Sequence, residues 1–117
     1  ELGMLFFGTS QFSAEEAKDL LRDEEITLDA IRVKAFPFGK EVEHFVQTHR
    51  VVFVIEQNRD AQMRKMMINE LETNPAKLIP ILNYDGMPIT ADAIKNLIKS
   101  HLHQASNLHH ELSETTV

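Results

Sequence analysis

Val51-Val52-Phe53-Val54-Ile55 runs without a polar interruption and then gives way to Glu56-Gln57-Asn58-Arg59-Asp60-Ala61-Gln62-Met63-Arg64-Lys65. Every residue of the first segment is β-branched or aromatic. A strand buried on both faces reads as such a run, and sheets built of these strands are usually parallel, with helices on both sides. Apolar residues then return at helical spacing, at Met63, Met66, Met67 and Leu71. Strand, turn and helix therefore place the polar cluster at the carboxyl end of a central strand. Open α/β sheets bind ligands and partners at that end.

Upstream of this strand, residues 40–48 form a helix with Phe38, Val42, Phe45 and Val46 on one side, entered through Phe36-Pro37-Phe38-Gly39. Pro37 biases Phe36 away from helical dihedrals and marks a turn. A second strand is expected over 26–33 and a first over 4–8. Between them, Ser13 and Glu16 have capping-box spacing, and Ala14, Ala17, Leu20 and Leu21 make an apolar stripe. Downstream, Asn74-Pro75 marks a turn and residues 78–82 read as a fourth strand. Pro80 restricts that strand to an edge, a bulge or an irregular pairing. Tyr84-Asp85-Gly86-Met87-Pro88 is turn chemistry. Thr90 then caps a last helix with Ile94, Leu97 and Ile98 facing inward, and Ile89 with Ile94 fits a hydrophobic staple.

Four strands alternating with four single helices argue for a three-layer α/β/α sandwich on a mostly parallel sheet. The α/β domain spans residues 1–105, and the polar stretch 106–117 is expected to be a flexible tail. At 117 residues the chain is one domain, of a size that buries roughly 65% of its unfolded surface. The start, Glu-Leu-Gly-Met-Leu-Phe-Phe-Gly, lacks an initiator Met and enters directly into a strand, as expected of a piece of a longer protein.

Charge and composition narrow the function. A net charge of −6, without a long basic run, argues against a nucleic-acid binder working through a basic footprint. No apolar run approaches the ~20 residues that span a bilayer. With zero cysteines there is no thiolate nucleophile, no Cys-ligated zinc and no thiolate-held iron–sulfur cluster in this segment. A cytoplasmic origin fits.

Gly8-Thr9-Ser10 follows the first strand, but the Gly-x-Gly-x-x-Gly pattern that lets a backbone approach a pyrophosphate is absent. Of the six histidines, His101 and His103 fall on different helix faces, and Glu41 with His44 supplies two ligands where zinc needs three or four. No metal site and no catalytic residue is assigned. The Glu56–Gln62 cluster has two readings. Helix capping by Asn58 or Asp60 with an internal Glu–Arg pair is one, and recognition of another polypeptide or ligand is the other.

Two runs carry a family resemblance. Phe36-Pro37-Phe38 before a helix, then Val-Val-Phe-Val-Ile-Glu-Gln-Asn-Arg-Asp-Ala-Gln over 51–62, closely resembles the carboxyl-terminal domain of the alpha subunit of 2-oxoacid:ferredoxin oxidoreductases, of the 2-oxoglutarate:ferredoxin oxidoreductase type. Tyr84-Asp85-Gly86-Met87-Pro88-Ile89-Thr90-Ala91 resembles the same family's closing motif, and Gly8-Thr9-Ser10 with Glu16-Ala17 its opening step. The likeness extends over residues 4–99. It implies a transketolase C-terminal-like fold: a five-stranded, mostly parallel sheet with one antiparallel strand. The fifth strand is expected within 31–36 or near the carboxyl end.

The resemblance also implies an enzyme that uses thiamine diphosphate and magnesium to decarboxylate a 2-oxoacid oxidatively. Electrons pass through iron–sulfur clusters to ferredoxin, and the acyl group passes to coenzyme A. The cofactor does the carbanion chemistry. This chain has neither a Gly-Asp-Gly diphosphate motif nor cysteines, so it is expected to be inactive alone. Its expected partners are the other domains of the alpha subunit and the beta subunit, with no nucleic acid and no membrane. Glu56, Gln57, Asn58, Arg59 and Gln62 are the candidate docking face, with Asp85 and Gly86 shaping a neighbouring turn. The alternative is a stand-alone α/β module binding an anion or nucleotide through Thr9, Ser10 and Arg59.

Overall fold

Alternation of apolar side chains across a central strand decides the layering. The computed structural model describes residues 2–7, 11–33, 39–56, 62–82 and 89–115, without the side chains of 11 and 104–115. In chain order these form β1 (Leu2–Phe7), α1 (Gln11–Asp23), β2 (Asp29–Val33), α2 (Lys40–Thr48), β3 (Val51–Glu56), α3 (Gln62–Leu71), a 3-10 turn (Pro75–Lys77), β4 (Leu78–Leu82) and α4 (Ala91–Thr115). The strands are all parallel, in the order β2-β1-β3-β4.

Successive residues of β3 point to opposite faces, so Phe53 and Ile55 enter one core and Val52 and Val54 the other. Met4, Phe6 and Ile81 join the first, under Ala14, Ala17 and Leu21 of α1 and Ile94 and Ile98 of α4. Leu5, Val33 and Leu78 join the second, under Val42 and Val46 of α2 and Met63 and Met67 of α3. The three-layer α/β/α sandwich read from the sequence is thus the architecture.

The chain departs from expectation at several ends. Residues 26–28 lie outside β2, because α1 closes on itself there: Leu21 O accepts from the amides of Glu24 and Ile26 at 2.9 Å, and Arg22 O from Glu25 at 3.0 Å. Glu25 is left-handed at φ 65° to make this turn. Ser13 is not the cap of α1, since the helix already runs from Gln11. Leu97, expected to face inward, is exposed, as is Met66 of the methionine group, while Met67 and Ile98 are buried.

Among the described residues there are four strands rather than five, and none is antiparallel. Residues 31–33 belong to β2 itself, and the carboxyl end is helical. No Gly or Pro interrupts residues 91–115, so α4 continues through Thr115, into the polar stretch 106–117. Pro80 lies in β4, at the edge of the sheet, where its missing N–H is tolerated.

Candidate functional site

Glu56 ends β3 with its side chain only 4% exposed. A buried carboxylate needs donors, and the start of α3 supplies them. Glu56 Oε1 accepts from the Met63 amide at 2.6 Å, and Oε2 accepts from the Arg64 amide at 3.1 Å. The first amides of a helix have no intrahelical acceptor. A carboxylate there satisfies two of them and faces the positive end of the helix dipole. Glu56 therefore fastens β3 to α3 from across the connection. Its side chain is buried, and both of its oxygens accept from the first turn of α3.

Of the other residues assigned to the docking face, Gln62 opens α3 and is exposed. Gln57, Asn58, Arg59, Asp85 and Gly86 lie outside the described residues, as do Thr9 and Ser10 of the alternative reading. Topology still places the surrounding elements. The sheet order reverses between β1 and β3, and ligands of doubly wound sheets bind at the carboxyl ends of such neighbouring strands. The connections at that switch point leave β1 after Phe7 and β3 after Glu56.

Arg64 had no signal in the sequence. Its Nε donates to Leu78 O at 2.6 Å and its guanidinium NH2 to Pro75 O at 2.8 Å, tying α3 to the entry of β4. Thr90 behaves as its position implied: its Oγ1 accepts from the Ala93 amide at 3.1 Å, with Ile89 and Ile94 buried around it.

A second polar cluster sits at the opposite, amino-terminal edge. His49 follows α2 and is 8% exposed. Phe45 O accepts from its Nδ1 and Asp29 Oδ2 from its Nε2, both at 2.7 Å. The hydrogen bond from His49 holds the Asp29 carboxyl below the ordinary aspartate range. The His49 and Phe45 rings lie 4.1 Å apart, over Gly3. A Cβ at Gly3 would come within 2.8 Å of Phe45 Cε1 and 3.1 Å of His49 Cγ. The missing side chain makes the room that this cluster occupies.

No protein-family model and no curated protein matches the chain. Solved structures do. The 2-oxoglutarate:ferredoxin oxidoreductase from Magnetococcus marinus, with 2-oxoglutarate, coenzyme A and succinyl-CoA bound, matches 86% of this chain at a TM-score of 0.75 and 25% identity. The alpha chain of a probable 2-oxoacid ferredoxin oxidoreductase from Thermoplasma acidophilum matches 87% at a TM-score of 0.58 and 24% identity. The chain is a structural relative of the 2-oxoacid:ferredoxin oxidoreductases. The resemblance carried by residues 36–62 and 84–91 is thereby borne out, and the fold is compatible with the transketolase C-terminal type. The chain covers 88% of the Thermoplasma alpha chain but only 17% of the Magnetococcus one. No helix among the described residues is long and apolar enough to cross a membrane.

Proposed function

We propose that the chain is a non-catalytic assembly domain of the alpha subunit of a 2-oxoacid:ferredoxin oxidoreductase. The whole enzyme would use thiamine diphosphate to decarboxylate a 2-oxoacid, 2-oxoglutarate or a close analogue, oxidatively to its acyl-CoA. Coenzyme A and ferredoxin would be substrates of that enzyme, and its place the cytoplasm. The reading rests on the structural match to a sixth of the Magnetococcus chain, at a TM-score of 0.75.

The residues present do not fit the enzyme's cofactors. There is no cysteine for an iron–sulfur cluster. Among the described residues no three His, Asp or Glu stand together to hold magnesium. Thiamine diphosphate, magnesium and clusters would belong to other domains or to the beta subunit. The role left to this domain is to meet those parts, through Gln57, Asn58, Arg59 and Gln62, with Asp85 and Gly86 beside them. Glu56 supports that edge from beneath by holding α3 in place. Charges at such a rim set register and partner choice more than affinity.

Arg59→Glu tests this reading. In the full alpha subunit it should weaken co-purification with the beta subunit while circular dichroism of the domain stays unchanged. Undiminished co-purification, or a domain that no longer folds, overturns the assignment. Calorimetry of the wild-type chain against coenzyme A, a nucleotide and phosphate examines the alternative; tight binding by the chain alone would favour the small-ligand module.

A further inference from the structure

His49 stands at the junction of α2 and β3, on the amino-terminal edge of the sheet, and its ring is buried. Each ring nitrogen faces an oxygen at 2.7 Å: Nδ1 the Phe45 carbonyl, Nε2 the Asp29 carboxylate. A carbonyl and an ionised carboxylate can only accept. Each bond therefore needs a hydrogen on the nitrogen it meets, and the two together need the doubly protonated, cationic ring. Histidine is the side chain whose charge ordinarily changes between about pH 5 and 8. The arrangement is complete on one side of that change only.

The two bonds are not equal. Nε2 donates to a full negative charge, and charge-assisted bonds are about twice as strong as neutral ones. Nδ1 donates to an uncharged carbonyl and has a second neighbour, Thr48 Oγ1, at 3.3 Å. That hydroxyl donates to His44 O at 2.9 Å, with Phe45 O at 3.3 Å. Turned about its C–O bond, it can donate instead to an Nδ1 that has lost its hydrogen. The proton given up is thus the one on Nδ1, which leaves Nδ1 and Phe45 O facing each other as two acceptors. The other charges nearby are cations. Lys18 of α1 and the chain's amino group act on Asp29, and Lys77 of the 3-10 turn donates to Gln47 O at 3.4 Å. β1 contributes Gly3, which is uncharged and lies under both rings.

We propose that His49 is a proton-operated latch on the amino-terminal edge. With both nitrogens protonated it closes the last turn of α2 against the start of β2. Loss of the Nδ1 proton releases that turn, while the bond to Asp29 stays. The Phe45 ring, 4.1 Å from the imidazole, moves with it. The latch lies across the sheet from the docking edge and stands or falls independently of the assembly-domain reading.

Nitrogen-15 NMR of the histidine-labelled chain, titrated from about pH 5 to 9, tests it, with His49→Gln identifying the His49 signals. At the acid end both ring nitrogens should carry hydrogen, and on titration Nδ1 alone should lose it. Exchange protection of the amides of residues 45–49 should fall by roughly tenfold at the same midpoint. Asp29→Asn removes the anionic acceptor and should move that midpoint to lower pH. Thr48→Val removes the hydroxyl that serves the bare nitrogen and should move it to higher pH. Hydrogen lost from Nε2 instead, amides of residues 45–49 that ignore the ring's titration, or a midpoint that either variant leaves in place overturns the proposal.

Discussion

Glu56 was legible as the polar end of a buried strand, but not as the cap of the next helix. Its acceptor role depends on Met63 and Arg64, seven and eight residues on, and sequence-based capping rules look only three or four residues ahead. Glu56→Ala should leave the buried Met63 amide and the part-buried Arg64 amide without this acceptor and cost about 1–3 kcal/mol; Glu56→Gln, which keeps one acceptor, should cost about half as much. Urea denaturation measures both, and equal stability of wild type and Glu56→Ala would refute the capping assignment. Asp29 and His49 were invisible for a similar reason, standing 20 residues apart. The Asp29 carboxyl is lowered by the hydrogen bond from His49, so its contribution is fully present above the ordinary aspartate value of about 3.9. It vanishes as the pH falls through the still lower folded value. Asp29→Asn should therefore be less stable than wild type at neutral pH, with the gap closing in strong acid. A gap that stays constant down to acid pH would refute the pair's role.

Elements were read more securely at their middles than at their ends. The run of residues 51–55 and the helix of residues 40–48 were legible because burial on two faces, and on one face of a helix, write distinct periods into the sequence. The start of β2 was read three residues early because no glycine announces the turn that closes α1; Glu25 adopts the left-handed conformation that glycine normally fills. Left-handed backbone costs a non-glycine residue roughly 1–2 kcal/mol, and glycine's extra unfolded-state freedom returns about 0.4–1 of that. Glu25→Gly should thus raise stability by about 0.5–1 kcal/mol, read as a higher thermal midpoint. A lower midpoint would mean that Glu25 makes a contact worth more than its strain. Gly3 is the converse case. Its place in β1 fell just outside the strand read over 4–8, and its need to be glycine arises from Phe45 and His49 across the face. Gly3→Ala must displace the Phe45 ring and should cost about 1–3 kcal/mol.

The molecule as a whole was legible in its layers, since four strands alternating with four helices admit few arrangements. The strand order β2-β1-β3-β4 was not, because lateral neighbours are chosen by long-range packing that no local period records. That order has a thermodynamic consequence. The α1–α4 core and the α2–α3 core share one sheet, and adjacent residues of β3 serve opposite sides: Phe53 one, Val54 the other. Neither helical layer can lose its packing without exposing a strand that the other layer also needs. Unfolding should therefore be a single transition, as is usual for domains of this size. Phe53→Ala empties the α1–α4 side at about 3–5 kcal/mol, a large fraction of the 5–15 kcal/mol typical of a domain. Met67→Ala empties the α2–α3 side at about 2–5 kcal/mol. Each should move the whole transition to lower denaturant, with amides of all four helices opening together in hydrogen exchange. If Met67→Ala instead released α2 and α3 while α1 and α4 stayed protected, the sheet would not be transmitting stability between its faces.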